Sequence, residues 1–185
     1  MASGRHEDAE AALAILLDIA GRDREHVPTL MAMATAFLFL RQKAKARNQL
    51  KRISKLPYTP EYGDEFERAW LSLASMYVKG GKFDLAQDLC RKCLKYNQSC
   101  GPAWEIMGQM LEREGAYKDA AEHYSKTWEL MHQTAPAGFR LAFNHLKAEQ
   151  YVEAMQVAYQ VLDLFPDYDA IRTDVLEEAW ARVRP

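Results

Sequence analysis

Long apolar runs are missing from this sequence. The longest, Leu30 to Leu40, spans eleven residues, against the about 20 that a membrane-crossing helix needs, so no direct membrane insertion is expected. Charge of one sign is missing as well. Twenty-four Lys and Arg stand against 26 Asp and Glu, a net charge of -2, which gives no electrostatic reason to expect nucleic acid as a partner. Only the stretch Arg41-Gln42-Lys43-Ala44-Lys45-Ala46-Arg47 with Lys51 and Arg52 is locally basic, and spaced along a helix it reads as a solvated face, with a binding role as the lesser alternative. Nine Gly and seven Pro are too few for a disordered chain or a turn-rich all-β fold. The three cysteines, Cys90, Cys93 and Cys100, are odd in number and follow a polar start, Met1-Ala2-Ser3-Gly4-Arg5-His6, that is no signal peptide. They read as thiols in a reducing compartment.

Catalytic signatures are lacking too. No Gly-x-Ser-x-Gly, His-Glu-x-x-His or dinucleotide fingerprint occurs, and Lys79-Gly80-Gly81-Lys82 lacks the frame of a phosphate loop. His123, His132 and His145 are not at ligand spacing. Cys90 and Cys93 have zinc-like spacing, yet they fall where later repeats carry Tyr124 and Thr127, then Ala158 and Val161, which are core positions. The expectation is a protein that is not an enzyme, with no cofactor, no metal and no small-molecule substrate.

What the sequence does have is a period. Trp70 and Trp104 stand 34 residues apart, and so do Leu73 and Met107, Gly81 and Gly115, Phe83 and Tyr117, and Ala86 and Ala120. A second step takes Tyr117 to Tyr151, Ala120 to Ala154 and Gly108 to Ala142. This is the period of the tetratricopeptide repeat, a pair of antiparallel helices. The signature positions are Trp70, Ala74 and Tyr77 with Ala86; Trp104 and Gly108 with Tyr117 and Ala120; and Ala142 with Tyr151, Ala154 and the helix-ending Pro166. Large residues fill the space between helices, small ones mark close approach, and Gly80-Gly81 and Gly115 mark turns. The fold expected is an all-α, right-handed tetratricopeptide-repeat solenoid closed by a C-terminal capping helix.

In that register residues 6–26 form a partial repeat, with Ala9 to Ile19 as its helix B, and residues 27–56 form a degenerate repeat. A Pro-rich loop with two exposed-looking tyrosines, Tyr58 and Tyr62, follows over 57–66. Full repeats then cover 67–100, 101–134 and 135–168, and one amphipathic helix over 169–185 turns Ile171, Val175, Leu176, Ala179 and Trp180 inward. A chain that starts in mid-repeat and ends on a cap reads as the C-terminal part of a longer solenoid, with Met1 to Gly4 as an appendage.

In such a fold the inward face of each first helix lines a groove. By register this face carries Met31, Thr35 and Leu38, then Leu71, Ser75 and Val78, then Glu105, Gln109 and Glu112, and last Phe139, Phe143 and Leu146. The groove would be apolar at both ends and acidic in the middle, suited to a partner helix or hydrophobic segment with some basic residues. The alternative is that neighbouring helices cover these side chains.

Several stretches exceed the generic pattern: Cys93-Leu94-Lys95-Tyr96-Asn97-Gln98-Ser99-Cys100, Ala116-Tyr117-Lys118-Asp119-Ala120-Ala121, and Pro136-Ala137-Gly138-Phe139-Arg140-Leu141-Ala142-Phe143-Asn144-His145-Leu146-Lys147. With Ala44-Lys45-Ala46-Arg47-Asn48 and the closing Arg184-Pro185, they resemble the C-terminal segment of the tetratricopeptide repeat protein 21 family. That family supplies the large repeat subunit of the intraflagellar transport A complex. The resemblance implies a non-catalytic scaffold in retrograde transport in the cilium or flagellum and in ciliary entry of membrane-protein cargo. It implies WD-repeat subunits of the same complex as partners, and a place at the cilium and basal body on the cytoplasmic side. The alternative is a peptide-binding adaptor or cochaperone outside the cilium.

Overall fold

The computed structural model describes residues 2–131 and 133–183. His132, the closing Arg184-Pro185 and the side chains of the Met1 to Gly4 stretch lie outside the described residues. Among those described every regular element is helical, and no helix is long and apolar enough to cross a membrane. The helices fall into two compact units, Met1–Cys93 and Leu94–Pro185.

The first unit holds α1 (Ala2–Arg22), α2 (Val27–Phe39), α3 (Lys43–Lys55), α4 (Gly63–Lys79) and most of α5 (Phe83–Tyr96). Helix α1 runs well beyond the segment Ala9 to Ile19. Its Leu13, Leu16 and Ala20 pack against a core of Met33, Phe37 and Ala46, which Met76 of α4 joins. Burying side chains of this size contributes about 1.5–3 kcal/mol each. The loop expected over 57–66 is corrected. Pro60–Tyr62 forms a 3-10 turn and α4 already begins at Gly63, because Phe66 has an aromatic pocket to fill. Tyr58, Phe66 and Trp70 form a ring cluster with pairwise separations of 5.4–6.0 Å, Tyr58 stacked on Trp70, and Tyr62 meets His26 edge-on. Both tyrosines are half-buried rather than exposed.

The second unit holds α6 (Gly101–Arg113), α7 (Tyr117–Leu130), α8 (Ala135–Lys147) and α9 (Tyr151–Leu164). One core runs through it, from Ala120 and Tyr124 through Leu141, Ala142 and Ala154 to Ile171 and Ala179. The closing helix is unbroken over residues 169–183, and what is corrected is the inward place expected for Trp180. A short α10 (Asp169–Ile171) passes through one π-helical turn (Arg172–Leu176) into α11 (Glu177–Val183). The wider turn takes up extra chain, so Ile171, Val175, Leu176 and Ala179 are buried while Trp180 is carried outward to 44% exposure. Its indole N–H donates to the Tyr159 hydroxyl at 3.3 Å.

One backbone device closes each pair. In α4–α5 the amide of Lys82 donates to the Tyr77 carbonyl and that of Gly81 to Val78, with Gly81 left-handed at φ 70°. This is the Schellman arrangement, which satisfies carbonyls left over at a helix end. The same two bonds recur with Ala116 on Leu111 and Gly115 on Glu112, with Gln150 on His145 and Glu149 on Leu146, and with Gln42 on Phe37 and Arg41 on Leu38. Glycine holds the left-handed position at Gly115, but Arg41 (φ 57°) and Glu149 (φ 61°) hold it elsewhere. Proline opens the first helix of three pairs, at Pro28, Pro102 and Pro136, where its missing N–H costs nothing.

Candidate protein-binding surface

Helix α2 is apolar around its whole circumference, yet not all of it is covered. Val27, Leu30, Met33, Ala34 and Phe37 are buried, whereas Ala32, Thr35 and Leu38 are exposed and Phe39 is 54% exposed. The uncovered face opens into a groove of about 690 Å³. Helix α2 lines it with Pro28, Met31, Ala32, Thr35, Ala36 and Phe39, and α1 with Asp8, Ala9, Ala12 and Leu16. Glu65 and Arg68 of α4 add charges of both signs. Small residues at Ala9, Ala12, Ala32 and Ala36 keep it open. Thr35 returns its hydroxyl to the Met31 carbonyl at 3.0 Å, so its outward contribution is a methyl group.

The groove residues read from the register are therefore divided. Thr35 faces this groove, and Met31 forms its floor at 6% exposure. Leu38 is exposed, and Leu71 and Ser75 are half-buried on α4. Val78 at 2% and Leu146 at 5% exposure are corrected to interior positions, Leu146 as part of the second core. The α1 side was missed, although Ala9, Ala12 and Leu16 carry a legible helical spacing of three and four.

In the second unit the acidic residues are engaged within the fold. Gln109 Nε2 donates to Glu105 Oε1 at 3.1 Å. Glu112 accepts from the Tyr124 hydroxyl at 2.8 Å, from Arg140 Nη1 at 3.2 Å and from Asn144 Nδ2 at 3.2 Å. It thereby ties α6 to α7 and α8. Arg140 also lies over the Tyr124 ring, 5.9 Å from its centre. Burial first, and then the hydrogen bond to Glu112, push the Tyr124 phenol well above its ordinary range. Of the acidic middle of the expected groove, Glu112 is thus taken up by contacts within the fold, whereas Glu105 is bonded to Gln109 of its own helix.

Phe139 and Phe143 are half-buried against the second core. Their rings stack 6.0 Å apart, Tyr168 meets Phe139 edge-on, and Lys147 lies over Phe143. Changing both to Ser is expected to lower the melting temperature by about 5–10 °C, because roughly half of two aromatic side chains leaves the interior. Circular dichroism melting measures it, and unchanged melting would show that these rings are free surface. Cys90, Cys93 and Cys100 are all buried, in keeping with core thiols. His145 Nδ1 lies 2.9 Å from Gln150 Oε1, a contact that braces the turn after α8.

Comparison with known proteins places this architecture. The family model for the tetratricopeptide repeat protein 21 C-terminal ARM domain matches residues 1–180. Tetratricopeptide repeat protein 21B of Mus musculus is 46% identical over all of this chain, and its homolog in Caenorhabditis elegans is 31% identical over 86% of it. The chain spans only 14% of the mouse protein and 12% of the nematode one. Among solved structures, the C-terminal part of a TPR repeat-containing protein from Cytophaga hutchinsonii superposes with a TM-score of 0.75 at 14% identity, covering 98% of this chain and 70% of that one. MamA from Desulfovibrio magneticus RS-1 gives 0.71 at 17% identity, with 89% and 90% covered. At such identities these two establish the tetratricopeptide-repeat fold.

Proposed function

Because the chain belongs to the tetratricopeptide repeat protein 21 family, as its C-terminal domain, we propose that it is a non-catalytic protein-binding scaffold within the intraflagellar transport A complex. In this reading it works in retrograde transport along the cilium or flagellum and in the entry of membrane-protein cargo. It sits on the cytoplasmic side, at the cilium and basal body, bound to the WD-repeat subunits of the complex. The observation that carries a binding role is the open apolar groove of α1, α2 and α4. An uncovered apolar face of this kind, rimmed by charge, marks a protein contact. Its apolar wall of small residues suits a partner helix laid against it.

The test is a double substitution on the groove wall, Ala32→Arg with Phe39→Asp. Ala32 is exposed and Phe39 is more than half exposed, so stability is expected to fall by no more than about 1 kcal/mol. Co-purification with the WD-repeat subunits from ciliated cells is expected to fall at least about tenfold, since two charges would meet an apolar partner face. Full retention would remove the groove from the interface. Capture of chaperones in place of the WD-repeat subunits would move the chain to the adaptor class.

A further inference from the structure

Helix α3 carries six cations and no acidic residue. Lys43, Arg47, Lys51 and Lys55 recur every four residues, so they form one row down the exposed side, about 18 Å long at 1.5 Å per residue. Like charges at this spacing repel one another. Among the described residues none of the four joins an ion pair. Beside the row, Lys45 lies over the Phe37 ring, and Arg52 donates to Gln49 and to the Arg24 carbonyl. The chain as a whole has more carboxylates than cations, yet among the described residues no carboxylate is ion-paired with this row.

At its C-terminal end the row meets a hollow of about 320 Å³. Leu30 and Leu56 give it an apolar floor, Arg24, Arg52 and Lys55 a cationic rim, and Glu25 is the one acid on it. Lys55 belongs to both row and hollow. Lys92 of α5 brings one more cation to the same end, its ammonium 3.2 Å from the Ser54 carbonyl.

We propose that the outer face of α3 docks an acidic protein segment, with carboxylates along the row and one apolar side chain in the hollow. The charge of the row selects a polyanion, and the apolar floor inside a cationic rim selects a peptide among polyanions. Helix α3 has no aromatic side chain on which a base could stack. Its large apolar residues, Leu50 and Ile53, are buried, leaving nothing on it to enter a bilayer. The row lies on a different helix from those that line the apolar groove, and the hollow shares α2 with the groove but none of its lining residues, so either can fail without the other.

The experiment uses the 185-residue chain and a fluorescein-labelled peptide of Asp and Glu around one Leu, read by anisotropy. Binding is expected, weakening at least about fivefold between roughly 50 and 200 mM salt. Lys51→Glu with Lys55→Glu should weaken it by at least about tenfold, and replacing the peptide's Leu by Ser by several-fold. The reversal relieves repulsion within α3, so the variant should melt no lower than the parent. The neutral pair Lys43→Gln and Arg47→Gln provides a second, milder loss. Equal binding by parent and charge-reversed chain, or no binding at low salt, overturns the proposal. So does tighter binding of phosphatidylserine vesicles or polyuridine than of the peptide.

Discussion

Replacing Gly138 by Ala should cost about 2–3 kcal/mol and lower the melting temperature by roughly 5–10 °C. A Cβ built on Gly138 falls 2.4 Å from Trp128 Cζ3 and 2.4 Å from Val161 Cγ2, and both side chains are buried. Neither is a flexible end that could swing aside, so helix α8 must shift or the indole must leave its rotamer. The repeat explains why the site is so tight. Residue 138 is 34 positions beyond Trp104 and 68 beyond Trp70, so the period places a Trp there. The indole comes instead from Trp128 of α7, where the neighbouring repeats have Leu94 and Leu162. Large and small have exchanged places across one interface. Gly138→Ala combined with Trp128→Leu should therefore cost less than the sum of the two single changes, by about 1 kcal/mol or more. Additive losses in thermal or urea unfolding would show that the two sites do not share their space.

Glu112→Ala should be comparably severe, at about 2–3 kcal/mol. The buried Tyr124 hydroxyl and the Nδ2 of Asn144, both side chains at 0% exposure, lose the carboxylate that accepts from them, and Arg140 loses its ion pair. The Tyr124 hydroxyl is left without an acceptor, which costs about 1–3 kcal/mol, whereas Asn144 Nδ2 keeps its bond to the Arg140 carbonyl at 2.8 Å. Glu112→Gln should recover part of this, keeping an acceptor while giving up the charge. The network also sets a pH limit. The Tyr124 phenol titrates above its ordinary value of 10.0 in the folded chain, so its contribution is complete below pH 10 and is lost as pH rises beyond that. Tyr124→Phe should flatten the alkaline limb of the stability curve. An alkaline limb identical in parent and variant would place the loss in other groups.

Much of the helix pairing can be read from residue type alone. A small residue at Ala86, Ala120 and Ala154 fits only where two helices touch, and all three are fully buried. The turns were half legible. Gly81 and Gly115 announce a left-handed residue, whereas Arg41 and Glu149 adopt it because the surrounding Schellman bonds outweigh their side-chain preference. The π-helical turn in the cap leaves no mark in a pattern of apolar spacings, and Trp180 was misplaced for that reason. The groove residues were harder still. Helical register says which way Glu112 points but not that Tyr124, Arg140 and Asn144 from two other helices will meet it there. Burial of Val78 and Leu146 likewise depends on a neighbouring helix rather than on their own.

The repeated turn also sets how fast such a chain can assemble. Its bonds join residues only five apart in sequence, as Lys82 joins Tyr77 and Gln150 joins His145, so each helix pair closes on itself without a long-range search. Loops of this size close in roughly 10–100 ns, and folds built from local contacts form in microseconds to milliseconds. Each pair meets its partner helix across a closure of a few residues. A pair pulled open by mechanical load would therefore re-form on its own clock, before exposed apolar helix faces could find a second chain.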